Sequence, residues 1–179
     1  MKNIMLDLET LSTSSNAAIL SIGAVEFDDE LGITNEFYQT IDLNSMMSKG
    51  FDVDSNTIKW WLKQSDYARE SLLKNNIPIA EALSKFKTWL GKDNLRMWGN
   101  GSDFDNVILE NAFKKFKVES PWPYWSNRCF RTIKYSFPSL EKAESKKEKV
   151  KHNSLDDAKS QANYLIYLCD TYKLKGVIS

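Results

Sequence analysis

A chain of 179 residues, 42% of them hydrophobic, is long enough for one domain that buries roughly two-thirds or more of its unfolded surface without disulfides. Its 24 Lys and Arg balance 24 Asp and Glu, so no global positive field draws it to nucleic acid or to an anionic membrane, and any such partner must be gripped locally. The single histidine excludes multi-histidine zinc sites, a facial iron triad and an imidazole dyad, which leaves carboxylates as the material for a metal site.

Acidic residues arrive too early in MKNIMLDLET for a secretory signal, and no apolar stretch approaches the ~20 residues that span a bilayer. The sequence is therefore read as one soluble, cytoplasmic domain over residues 1–179, with Cys129 and Cys169 reduced and no membrane partner. Residues 3–9 are apolar on both faces through Ile4, Met5 and Leu6, which predicts a buried central strand. The apolar run over residues 17–27 stops at Asp28-Asp29-Glu30-Leu31-Gly32, and the β-leaning residues 34–41 follow, the pattern of a hairpin. Three neighbouring antiparallel strands thus open the fold. From Ser55 the period changes: Ile58, Trp61 and Leu62 mark one helix, and Ile79, Ala82, Leu83, Phe86 and Leu90 mark a second that Gly91 closes. Residues 95–98 form a short strand, Gly99-Asn100-Gly101-Ser102 breaks it, and Phe104, Val107, Ile108, Ala112, Phe113 and Phe116 describe the next helix. Prolines make residues 120–124 irregular, and residues 131–137 are assigned helix. Leu155, Ala158, Ala162, Leu165, Ile166, Cys169 and Tyr172 recur at steps of three and four, the mark of an amphipathic helix.

Asp7 and Glu9 stand two apart on the first strand, so both leave its face with Met5 while Ile4, Leu6 and Leu8 leave the other. Buried together, two carboxylates repel and lose hydration unless protons or a cation neutralise them, and hard divalent ions, Mg²⁺ or Mn²⁺, suit oxygen ligands. The commonplace alternative is a pair pointing into solvent at a strand end. In GNGSDFDNVIL, Asp103 is placed to cap a helix and Asp105 to lie in its first turn, where the helix dipole and free N–H groups favour any acid. In HNSLDDAK, Ser154 precedes Asp157 by three residues, the spacing of a capping box. Capping does not account for His152, the chain's only imidazole, just upstream. Between these sites, residues 142–151 carry five lysines and two glutamates, either a solvated helical face or a track for a phosphate backbone.

Read together, Asp7 with Glu9, then Asp105, then His152 with Asp157 resemble the three motifs of the DEDDh family, the DnaQ-like 3′→5′ exonucleases. The resemblance covers nearly the whole chain. MLDLETL, AILSIGAVEF, TIKWWLKQS, WGNGSDFDNVIL and HNSLDDA occur in the order found in small stand-alone phage and bacterial members. It implies an RNase H-like α/β fold, with a mixed central sheet of about five strands, the first three antiparallel, flanked by helices. It also implies that Asp7, Glu9, Asp105 and Asp157 hold two divalent ions, Mg²⁺ or Mn²⁺, and that His152 is the general base. Asp105 is preferred to Asp103 because the family's second motif ends in Phe-Asp, here Phe104-Asp105. Ser154 stands where many relatives have a small apolar residue, and Asp103 and Asp156 blur which carboxylates ligate.

The implied activity is hydrolysis of single-stranded DNA from its 3′ end to nucleoside 5′-monophosphates. RNA is the runner-up substrate, and a non-cleaving single-strand binding module is the alternative from another class. Trp60, Gln64, Asn100 and Arg131 are expected at the terminal nucleotide or its phosphates. Adjacent helical residues do not share a face, so Trp60 is the stacking candidate and Trp61, in phase with Ile58 and Leu62, is assigned to the core. The aromatic run Trp122-Pro123-Tyr124-Trp125 is either core or the interface of a homodimer.

Overall fold

Every apolar residue of the first strand is buried, Ile4, Leu6 and Leu8 on one face and Met5 on the other, which fixes it as the spine between two layers of helix. The computed structural model describes residues 1–92, 94–137 and 152–178. The basic run over 142–151 lies outside the described residues. The elements are β1 (Lys2–Thr10), β2 (Ile19–Asp28), β3 (Gly32–Thr40), α1 (Leu43–Met47), α2 (Ser55–Trp61), α3 (Asp66–Ser71), α4 (Ile79–Leu90), β4 (Leu95–Gly99), α5 (Asp105–Lys115), a 3₁₀ turn (Tyr124–Ser126), β5 (Asn127–Cys129), α6 (Phe130–Ser136) and α7 (Ser154–Tyr172). The strands form one five-stranded sheet in the order β3-β2-β1-β4-β5. The first three are antiparallel neighbours, while β4 runs parallel to β1 and β5 parallel to β4.

Two apolar clusters sandwich the sheet. Ile4, Leu6 and Leu8 meet α4 through Ile79, Leu83 and Phe86, and α5 through Ile108, Leu109 and Phe113. Met5, Val25 and Trp98 meet Phe130 of α6 and Ala158, Ala162 and Leu165 of α7 on the opposite face. Asn3 ties the ends together: its amide donates to the Ile178 carbonyl at 2.6 Å and its oxygen accepts from the Trp98 indole at 3.2 Å. No helix among the described residues is long and apolar enough to cross a membrane.

The hairpin, α4 with its Gly91 terminus, α5, α6 and α7 stand where the periodicity places them. Helix α2 differs in its reason. Trp61 is buried at 6% exposure, but Ile58 and Leu62 are 39% and 67% exposed, so a single indole docks the helix rather than an apolar stripe. The expected caps also move. Asp103 does not cap α5, whose N-cap position is Phe104, without a side-chain hydrogen bond. Asn153, not Ser154, caps α7 by accepting from Leu155 and Asp156 N–H, which frees Ser154 to turn inward. The run at 122–125 divides: Trp122 is core, whereas Tyr124 and Trp125 are exposed.

Candidate active site

The pleat that buries Leu6 and Leu8 on one side sends Asp7 and Glu9 to the other at the C-terminal end of β1, with Glu9 8% exposed and Asp7 half-buried. Gly99 at the end of β4 stands level with Leu6, and the turn after it delivers Asp105 to the same edge. Lacking a side chain, Gly99 admits Asn106, whose Oδ1 lies 2.3 Å from where a Cβ would be. The Asn106 amide donates to the Met97 carbonyl at 2.8 Å and to Asn127 Oδ1 at 2.9 Å, which braces the turn. Asp105, 4% exposed, accepts from the Leu8 N–H at 3.1 Å and from the backbone of Asn100.

The third component arrives on α7. Gly23 and Ser21 of β2 are the cross-strand partners of Asp7 and Glu9, and the helix N-terminus packs onto them. A Cβ at Gly23 would lie 2.2 Å from the Ser154 carbonyl carbon, while the Ser21 and Ser154 hydroxyls pair at 2.9 Å. His152 takes a left-handed backbone, φ +70°, and its N–H donates to Asp157 Oδ2 at 3.2 Å. The result brings one ligand atom each of Glu9, His152 and Asp157 within 4.8 Å of one another.

Burial pushes the Glu9 carboxyl up to about 8, with Asp157 and Asp105 adding like-charge repulsion. Asp7 is raised well above the carboxylate range, by burial first and then by Asp105, Glu9 and Asp157. Asp105 is raised by burial, opposed by its backbone hydrogen bonds and by the Arg131 guanidinium. A cluster of this kind stays neutral by taking up protons or stays ionised by taking up cations. Its hard oxygen donors fit divalent ions of the Mg²⁺ and Mn²⁺ type.

The other expected site residues separate. Trp60, 41% exposed, packs edge-to-face on the His152 ring at 4.6 Å between centroids, so it braces the imidazole and keeps part of its face open. Trp61 donates its indole N–H to the Thr10 carbonyl at 2.9 Å. Gln64 turns back to donate to the Trp60 carbonyl at 3.0 Å. Asn100 accepts from Arg131 through its carbonyl, so both of these residues are gathered around Asp105. Beside Glu9 opens a cleft of about 570 Å³, lined by Thr10, Ser12, Asn56, Trp60 and Phe104. Sequence reasoning missed Gln161, whose amide donates to Asp7 Oδ1 at 2.8 Å. Its signal was the four-residue step from Asp157, which puts both on one helix face.

Residues 2–169 match the model of the 3′-5′ exoribonuclease Rv2179c-like domain. An exodeoxyribonuclease of Enterobacteria phage T4 is 24% identical over 162 residues, 74% of this chain and 70% of that protein. The nuclease domain of 3′hExo, a DEDDh family member bound to rAMP, superposes with TM-score 0.64 at 15% identity over 95% of this chain and 92% of that one. Escherichia coli exonuclease I in complex with a dT13 oligonucleotide gives TM-score 0.67 at 15% identity, covering 97% of this chain but 42% of that larger one. The chain belongs to the 3′-5′ exoribonuclease Rv2179c-like domain family and is a 3′-5′ exonuclease with the RNase H-like fold of the DEDDh nucleases.

Proposed function

We propose that this exonuclease removes nucleotides one at a time from the 3′ end of single-stranded DNA, releasing nucleoside 5′-monophosphates, with two divalent ions held by Asp7, Glu9, Asp105 and Asp157. The observation that carries the reading is the convergence of acids from β1, α5 and α7 on one buried edge, raised in pKa by burial and mutual repulsion. When bound, such ions activate water and stabilise the charge that builds on the phosphodiester.

The protein's own groups supply the rest. His152, held by its N–H bond to Asp157 and by the Trp60 ring, takes the proton of the attacking water. The carboxylates fix where the ions, and through them the phosphate, would stand, and the Leu8 and Asn100 N–H groups orient Asp105 and oppose the rise that burial imposes on its carboxyl. The cleft beside Glu9 receives the terminal nucleoside, whose base finds the open face of Trp60; stacking of this kind contributes about 1–3 kcal/mol and ignores sequence. That suits a chain with no net charge, since grip comes from stacking and from phosphate on the ions that the acids would hold rather than from a global field.

DNA is favoured by the likeness to the phage exodeoxyribonuclease. The family description, which names an exoribonuclease, supports RNA as the second reading. Digestion of matched 5′-labelled single-stranded DNA and RNA separates them. A ladder shortening from the 3′ end with Mn²⁺, stopped by EDTA and faster on DNA, is the expected result; a faster RNA ladder transfers the proposal to RNA. Binding without products, or cleavage that persists in EDTA, overturns the mechanism.

A further inference from the structure

Helix α7 presents Asp157 and, one turn on, Gln161 toward β1. The Gln161 Nε2 donates to Asp7 Oδ1 at 2.8 Å, joining residues 154 positions apart. Its Oε1 is buried and has no hydrogen-bond partner among the described residues. A planar amide with its nitrogen committed to Asp7 holds that oxygen as a fixed acceptor beside the acidic cluster. The charges that bear on Asp7, from Asp105, Glu9 and Asp157, are all of its own sign, so nothing in their mutual repulsion selects one orientation of its carboxylate. A directed donor does.

The identity of the donor matters. Lysine at this position would neutralise the cluster and compete with a cation for it. Glutamate would add another like charge. Glutamine adds a directed N–H without altering the charge that attracts an ion, and it leaves an acceptor suited to an ion's hydration shell. We infer that Gln161 is a positioning residue that fixes the Asp7 carboxylate for divalent-ion binding, an assignment that rests on the metal-dependent reading above. Groups that orient metal ligands typically account for 10–100-fold in metal affinity.

The test is Mn²⁺ binding to the whole chain, followed by calorimetry and by the electron paramagnetic resonance of free Mn²⁺, for the parent protein, Gln161→Leu and Gln161→Glu. Circular dichroism reports whether each variant folds. The expected result is Mn²⁺ affinity weakened at least 10-fold in folded Gln161→Leu, with turnover returning toward the parent value as Mn²⁺ is raised to saturation, while in Gln161→Glu the added charge that attracts the ion offsets part of the loss. Folded Gln161→Leu that binds Mn²⁺ within about twofold of the parent overturns the role of Gln161 and leaves the metal reading standing. A parent protein that binds no Mn²⁺ overturns both.

Discussion

Ser154 rests its backbone on Gly23, so closely that a Cβ added to the glycine would lie 2.2 Å from the Ser154 carbonyl carbon and 2.3 Å from the Leu155 nitrogen. The atoms in the way are main chain and cannot swing aside. Gly23→Ala therefore lifts the start of α7 off β2 and carries His152 and Asp157 away from Asp7 and Glu9. Overpacking of this kind costs about 1–3 kcal/mol, read as a lowered urea midpoint. Exonuclease turnover should fall by at least about 100-fold, since misplacement by about 1 Å is enough for a loss of that size. An active Gly23→Ala protein would contradict the close packing.

His152→Ala leaves the four carboxylates in place. The expected outcome is Mn²⁺ affinity within a fewfold of the parent and kcat lower by about 10²–10⁴, the usual contribution of a well-placed proton acceptor. Single-turnover kinetics on a 5′-labelled oligonucleotide checks it, and an unchanged rate removes His152 from the chemistry.

The acidic cluster also sets the pH dependence of stability. Glu9 is raised in the folded state to about 8, and Asp7 and Asp105 are raised with it. In the unfolded chain these groups titrate near their ordinary values of about 4. Between those limits the native state binds more protons than the unfolded state, so stability falls as pH rises. In EDTA the thermal midpoint should be highest near pH 5 and lower by at least about 5 °C at pH 8. Adding Mn²⁺ at pH 8 should restore it, because cations then do the neutralising. A midpoint in EDTA that rises steadily from pH 5 to pH 8 contradicts the shared burial of these acids.

The adjacent tryptophans separate stability from kinetics. Trp61 is buried and hydrogen-bonded to Thr10, so Trp61→Ala should cost about 3–5 kcal/mol in chemical denaturation. Trp60 is partly open and touches His152. Trp60→Ala should leave stability within about 1 kcal/mol while raising KM for oligonucleotides and lowering kcat together.

The sheet and the major helices were legible because their patterns are long: β1 is apolar on both faces, and α4 carries Ile79, Leu83, Phe86 and Leu90 in phase. The short elements α1, α3 and β5, of 5, 6 and 3 residues, offer too little period to detect and exist because their neighbours hold them. Candidate acids were visible as motifs and their meeting through the family resemblance, but the bond from Gln161 to Asp7, 154 positions apart, was not. Caps misled for a different reason. Local spacing nominates Ser154, yet Ser21, 133 positions away, claims its hydroxyl, and Asn153 takes the cap. Gly23 and Gly99 carry no chemistry of their own; their value is the volume they leave to another segment, which no single sequence displays.

The placement of Asp157 and His152 at the head of α7 has a consequence for timing. Translation makes Asp7 and Glu9 before Asp105, and Asp105 before this helix. A growing polypeptide therefore carries those three acids before it carries His152 and Asp157. The grouping of Glu9 with His152 and Asp157 is therefore assembled only once α7 has emerged and seated itself on β2.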